Sequence, residues 1–256
     1  MIRETVEDVP KTMLDLKRKD GIRLSSVVLS DARLVRLSWL VPLCSVLVAV
    51  TLHLVLGNAR DLPFFISEAD YPGPERFVFT TGLLISAVLH CLLTLRMYIL
   101  FKSHSRRRIL FAATILGVTS STHLAVLAFA NMYDYIVIHV YTSIVVFHGG
   151  FAWAILAHYS LAKPHPKGRQ IRLASIAIAF VSLMVMTVSI NRGITQVRSE
   201  LGLESNLIPL NQLQPWIVVA APAEFILFFS LLGCLASFSW DVRDNSSQFE
   251  KTAIEG

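Results

Sequence analysis

The residues of this chain that could do chemistry are ionisable side chains placed inside long apolar segments. They are His53, His90, His123, His139, His148 and Glu224. An ionisable group within lipid is unfavourable and marks a functional site by default. A histidine beside a carboxylate could activate a water or a lipid hydroxyl as a general base, and two or three histidines could hold zinc. The alternative for each histidine is a structural hydrogen bond between packed helices.

Glu224 is the strongest of these candidates, because an unpaired carboxylate deep in a membrane would be very unfavourable. It lies within the segment PWIVVAAPAEFILFFSLLG. Its carboxyl group should be protonated or bonded to an inward-facing histidine. We expect a contact between His139 and Glu224, with His53 and His123 in the same half of the membrane. These four residues would form the polar part of a lipid-binding pocket.

The sequence lacks the short motifs that mark a metal site or a covalent catalytic site. It contains no HExxH, no GxSxG and no closely spaced pair of histidines. The stretch Thr119–His123 looks like a nucleophile with a base, but hydroxyls in packed spans more often bond between helices. We therefore predict no metal and no cofactor, and we assign no catalytic residue. A lipid-handling or partner-binding protein is favoured over an enzyme.

Membrane-spanning helices must position these side chains. Of the 256 residues, 54% are apolar and only 16% are charged, and the mean hydropathy is +0.59. Crossing a bilayer as a helix takes about 20 apolar residues. Six such runs occur, at 34–56, 77–101, 109–130, 135–161, 171–190 and 215–240. The sequence therefore predicts an all-α, polytopic membrane protein with a six-helix transmembrane bundle.

The distribution of basic residues predicts the orientation of this bundle. Lys and Arg are concentrated before the first run, within 102–108 and within 162–172. Basic residues beside spans stay in the cytosol, so both termini are predicted to be cytosolic. The predicted organisation is a cytosolic segment, a membrane domain and a cytosolic tail, at 1–33, 34–240 and 241–256. The basic edge would rest on anionic headgroups, and nothing supports binding to nucleic acid.

The connection between the first two runs, residues 57–76, would then be lumenal or extracellular. Pro63, Pro72 and Pro74 fix the backbone and remove hydrogen-bond donors. They predict a rigid, lid-like loop rather than a helix, placed over an outer-half cavity. Arg60 or Arg76 could bind a lipid phosphate through two parallel hydrogen bonds, although a lone loop arginine is more often simply solvated.

Three stretches of the chain, one loop and two apolar runs, combine residues in patterns that are typical of a known family. The loop LPFFISEADYPGPERFVF places a proline, aromatics, isoleucine, serine and an acid before a short proline turn. The fourth run, IHVYTSIVVFHGGFAWAIL, has a histidine at its outer end, and the last, AEFILFFSLLGCLASFSWDV, contains a glutamate and ends in Trp-Asp-Val. Together they resemble the six-span family that groups damage-regulated autophagy modulators with GPI-anchor lipid-remodelling factors.

The resemblance implies which residues belong to a functional site and what the protein does. His139 and Glu224 fall on positions that recur in the family, as do Pro63, Ile66, Ser67 and Asp241, while Glu68 stands where aspartate is common. The implied function is lumenal lipid handling in GPI-anchor remodelling, in a Golgi or ER membrane, with membrane lipids as ligands. One alternative is a non-enzymatic regulator of autophagy or lipid distribution, in a lysosomal or plasma membrane and with membrane-protein partners. The other is a lipid hydrolase or acyltransferase.

Overall fold

The computed structural model describes residues 14–18, 21–202 and 208–254, except for the side chains of Leu24 and of residues 244–254. Six helices in this part of the chain are long and apolar enough to cross a membrane. They are α1 (Asp31–Val55), α2 (Pro74–Phe101), α3 (Arg107–Leu127), α4 (Ile136–Ser160), α5 (Pro166–Leu201) and α6 (Leu210–Ile254). The predicted all-α, six-helix membrane architecture is confirmed.

The last two helices extend well beyond the apolar runs that predicted them. Helix α5 begins with Pro166, a residue suited to the first helical position, and ends where Gly202 adopts a φ of +60°. Helix α6 continues past the predicted end of its span at residue 240. Hydropathy reports only the part of a helix that lipid surrounds, so polar turns at either end escape it. The topological assignment of the termini stays a prediction.

A small antiparallel sheet, which was not predicted from the sequence, precedes α1. Its strands are β1 (Leu14–Asp15), β2 (Ile22–Leu24) and β3 (Val27–Leu29), in the order β1-β2-β3. Ile22 is fully buried and joins Leu34 and Val35 in the largest core cluster. The sheet therefore packs under the bundle, and its strands are too short to give a period-two pattern.

The bundle has two ends, which we name by their residues. The loop face carries the connections 56–73 and 128–135, and the basic face carries the sheet and the connections 102–106 and 161–165. The most extensive helix contacts join α5 to α6, α3 to α4, and α1 to α2. Glycines allow some of these close approaches: a Cβ on Gly193 would lie 2.7 Å from the Trp216 ring.

Two buried arginines hold the basic face together. Arg96 of α2 donates to both carboxylate oxygens of Asp31, at 2.7 and 2.9 Å, and is 2% exposed. Arg172 of α5 is fully buried, pairs with Asp241 of α6, and lies 3.8 Å above the ring of Phe238. No prediction was made for Arg96 from the sequence, and the charge pattern predicted Arg172 as a loop residue. Each arginine instead ties two helices through a buried ion pair.

Candidate functional site

An elongated cavity runs between α1, α2, α3, α4 and α6. The space between its lining residues, including the part that opens to the surroundings, is ≈ 1100 Å³. On α2 it is lined from Phe79 to Thr94, which corresponds to about 22 Å of helix, more than half of a roughly 30 Å hydrocarbon core. The walls are mainly aliphatic and aromatic, and include Val46, Leu83, Leu124, Phe147, Phe228 and Leu232.

The polar end of the cavity lies at the loop face and contains both of the strongest predicted residues. Glu224 Oε2 accepts a hydrogen bond from the backbone N–H of Ile66 at 2.7 Å. His139 Nδ1 lies 2.8 Å from the carbonyl oxygen of Ala130. Both side chains line the cavity. The predicted hydrogen bond between His139 and Glu224 is therefore wrong. Each side chain instead bonds a backbone group of a nearby connection, Ala130 for His139 and Ile66 for Glu224.

His53 lies outside this cavity, contrary to the expectation that it forms part of its polar surface. It is 1% exposed, and its Nδ1 is 3.6 Å from Glu75 Oε1. The Asn58 amide donates to the same oxygen at 2.6 Å, and the ring of Phe64 packs edge-on against the imidazole. His53 therefore belongs to a buried polar cluster that joins the end of α1 to the start of α2.

The other membrane histidines divide between the cavity and the outer surface of the bundle. His123 bonds the Thr119 carbonyl of its own helix at 2.9 Å and is absent from the cavity lining. His90 does line the cavity, and its Nε2 lies 2.7 Å from the Ser38 carbonyl oxygen of α1. The expectation that His123 joins the pocket is wrong, because its position on α3 points it toward Tyr141 rather than inward.

The loop over the cavity, residues 58–73, is here called the strap. It contains a short 3₁₀ helix at Ile66–Ala69, so the prediction of a loop without helix is only partly right. Ile66 and Ser67 line the cavity directly. The Glu68 carboxylate accepts from the backbone N–H of Phe65 at 3.0 Å and closes the first turn of that helix.

The strap is fastened to α6 and to the α3–α4 connection. Arg60 pairs with Glu68 at 3.2 Å and donates to Gln214 of α6 at 2.7 Å. Gln214 in turn donates to the carbonyl oxygen of Pro63 at 3.1 Å. The Tyr133 hydroxyl donates to the Glu68 carbonyl oxygen at 2.8 Å. The strap is therefore an ordered cover for the cavity.

Arg76, expected as a phosphate ligand, is already engaged with carboxylates. Its Nε lies 3.6 Å from Asp70 Oδ1, and its Nη1 lies 3.4 Å from Asp134 Oδ2. Asp70 is 1% exposed. Burial raises the pKa of Asp70 to about 7; the Arg76 guanidinium opposes this rise and the nearby Asp134 carboxylate adds to it.

The residues singled out by the family likeness do not form one site. Ile66 and Ser67 line the cavity, while Pro63 and Glu68 anchor the strap above it. Asp241 lies at the basic face, where it pairs with Arg172. The likeness thus marks residues of the cavity, residues that hold the strap, and one residue of the ion pair at the basic face.

Six helices long and apolar enough to cross a membrane, five of which surround a cavity, define a polytopic membrane protein. Residues 32–245 match the family model described as Frag1/DRAM/Sfk1/Cwh43P N-terminal domain, and the chain belongs to that family. The family likeness of the three sequence stretches is thereby confirmed. Neither the curated proteins nor the solved structures gave a match.

Proposed function

We propose that the protein binds a lipid chain in the interhelical cavity and handles that lipid from the loop face. The observation that carries the proposal is the cavity itself: it is long, its walls are mainly apolar, and Glu224 and His139 lie together at its loop-face end, while His90 and a few hydroxyls are spaced along the rest. A lipid has the same division between chain and headgroup. Residues of the strap cover the polar end, so a bound headgroup would lie beside Ile66 and Ser67.

The process that we propose for this binding is lipid remodelling of GPI anchors, with the loop face on the lumenal side. The support is the likeness of the strap, α4 and α6 to a family that includes GPI-anchor lipid-remodelling factors. Glu224 and His139, which the likeness marks, are the residues that make the end of the cavity polar. The same two side chains therefore support both the binding of a lipid and the proposed role in GPI-anchor remodelling.

Lipid retention by variants of the purified protein tests the binding. A Cβ on Gly150 would have only the Leu231 Cδ1, at 3.7 Å, within contact distance, so Gly150→Phe should fill the cavity without breaking a helix contact. Ile144→Phe is the matched control, because Ile144 lies on the same helix and is 51% exposed. We expect lipid to copurify with the wild type and the control but not with Gly150→Phe. Equal lipid in all three would contradict the proposal.

Mass spectrometry of GPI-anchored proteins tests the process. In cells that lack the protein, the acyl composition of these anchors should change, and the wild type and Ile144→Phe should restore it. Gly150→Phe should not restore it. An unchanged acyl composition would rule out remodelling, even if the cavity holds lipid.

One feature favours a second function, that of a regulator acting through a membrane-protein partner. Helix α5 has 36 residues, about 54 Å, and so exceeds a roughly 30 Å hydrocarbon core. Its last turns form a polar groove with Trp216 at the loop face, lined by Asn191, Arg192, Thr195, Gln196, Ser199 and Glu200. Altered autophagy with unchanged GPI anchors would support this function.

A lipid hydrolase or acyltransferase is the remaining candidate from the sequence. It requires the purified protein to turn over lipid, with loss of turnover in His139→Ala or Glu224→Gln. The cavity brings both residues to one end, so these two variants are the appropriate ones. If both variants still turn over lipid, His139 and Glu224 are not catalytic residues.

A further inference from the structure

The proton position on His139 follows from its hydrogen bond. Nδ1 lies 2.8 Å from the Ala130 carbonyl oxygen, and a carbonyl oxygen can only accept. Nδ1 must therefore carry a proton. His139 is 5% exposed, and a buried imidazolium without an anionic partner is strongly unfavourable. In the neutral ring Nε2 has a lone pair and no hydrogen, so His139 supplies a hydrogen-bond acceptor at the polar end of the cavity.

Glu224 supplies a second acceptor at the same end. Its Oε2 accepts the Ile66 N–H at 2.7 Å, and the residue lines the cavity beside the strap. An ionised Glu224 only accepts hydrogen bonds, whereas a protonated Glu224 accepts through one oxygen and donates through the other. A donor on the ligand can therefore bond His139 Nε2 in both states of Glu224, and can bond an ionised Glu224 as well.

Cationic side chains are kept away from this end. Among the described residues that line the cavity, none is lysine or arginine. Arg60 and Arg76, the arginines within and beside the strap, are paired with Glu68 and Asp70. A phosphate drawn into the cavity would be a buried anion without a counter-charge, which is strongly unfavourable.

We propose that the polar end of the cavity selects its lipid by an uncharged hydrogen-bond donor, a hydroxyl or an amide N–H, next to the chain. His139 Nε2 accepts from that donor, and any phosphate of the lipid stays outside the strap. The inference rests on the proposed function, binding of a lipid chain. Apolar walls alone discriminate little between lipids, because an acyl chain that leaves the bilayer for the cavity exchanges one apolar environment for another. The donor therefore decides which lipid is retained.

Three probes with the same chain test the selection: oleyl alcohol, its methyl ether and oleyl phosphate. The ether differs from the alcohol chiefly by the lost donor. Affinities are measured on the delipidated full-length protein by calorimetry in detergent. We expect the alcohol to bind about tenfold more tightly than the ether, the effect of one hydrogen bond to a buried acceptor, and the phosphate to bind more weakly than the alcohol.

Two matched variants assign the effect to His139. His139→Phe keeps an aromatic ring but removes the lone pair, so it should bind alcohol and ether equally. His148→Phe makes the same change on the same helix at a residue outside the cavity lining, and it should keep the tenfold preference. Retention of the preference by His139→Phe would overturn the assignment.

The wild type alone decides the proposal if a variant does not fold. Equal binding of alcohol and ether, or tighter binding of the phosphate, overturns donor selection while chain binding stands. Binding of none of the three probes overturns the proposed function, and donor selection with it.

Discussion

The Arg96 guanidinium joins three parts of the basic face. It donates to Asp31 of α1 through two hydrogen bonds and to the Leu16 carbonyl oxygen at 2.6 Å. Arg96→Met would leave the Asp31 carboxylate buried without its donor. Removal of one partner from a buried ion pair lowers the free energy of unfolding by about 3–5 kcal/mol. For a chain of this size that corresponds to a fall in melting temperature of about 6–20 °C.

Thermal unfolding in detergent measures this loss, with Arg107→Met as the control. Arg107 is an exposed arginine at the same face, and its replacement should change stability by less than about 0.5 kcal/mol. The double variant Arg96→Met with Asp31→Leu removes both charges and should recover much of the lost stability. Strictly additive effects, or a melting temperature of Arg96→Met equal to that of Arg107→Met, would refute the role given to this pair.

Three further outcomes are expected. Gly168→Leu should lower the melting temperature, because its Cβ would lie 2.8 Å from the Ser237 carbonyl oxygen; an unchanged value would contradict the close packing of α5 on α6. Between pH 3.8 and about 7 the folded protein holds a proton on Asp70 that the unfolded chain has lost, so stability should fall as pH rises. Asp70→Asn should flatten that slope, and an identical slope would contradict the raised pKa. Glu224→Leu should leave the Ile66 N–H unbonded, a loss of about 1–3 kcal/mol, and protease should cut the strap faster than in the wild type.

The helices could be predicted from the sequence because lipid imposes a simple requirement on length and hydropathy. Each of the six apolar runs corresponds to one helix of the structure, and three of the runs extend past the helix end by one to three residues. The small sheet could not be predicted, since strands of two or three residues carry no periodic signal. The 3₁₀ helix of the strap was missed because its turn is closed by Glu68, a local contact that the flanking prolines conceal.

The sequence predicted which residues belong to the site better than it predicted the groups that they contact. His139 and Glu224 stood out as polar groups in apolar runs, and both line the cavity. Their partners are backbone groups of Ala130 and Ile66, which no side-chain pattern reveals. Arg96 could have been found, since an arginine five residues before the end of α2 needs a buried acid. Reading Arg172 as a loop charge failed because α5 begins earlier than its apolar run.

Helix α6 has a fixed polar joint near each face of the bundle. Glu224 bonds the strap, and Asp241, about 26 Å further along the axis, bonds Arg172. A continuous helix has a fixed rise per residue, so the two joints keep a constant separation along α6. One element of the fold therefore sets the height of the cavity's cover relative to the ion pair at the basic face.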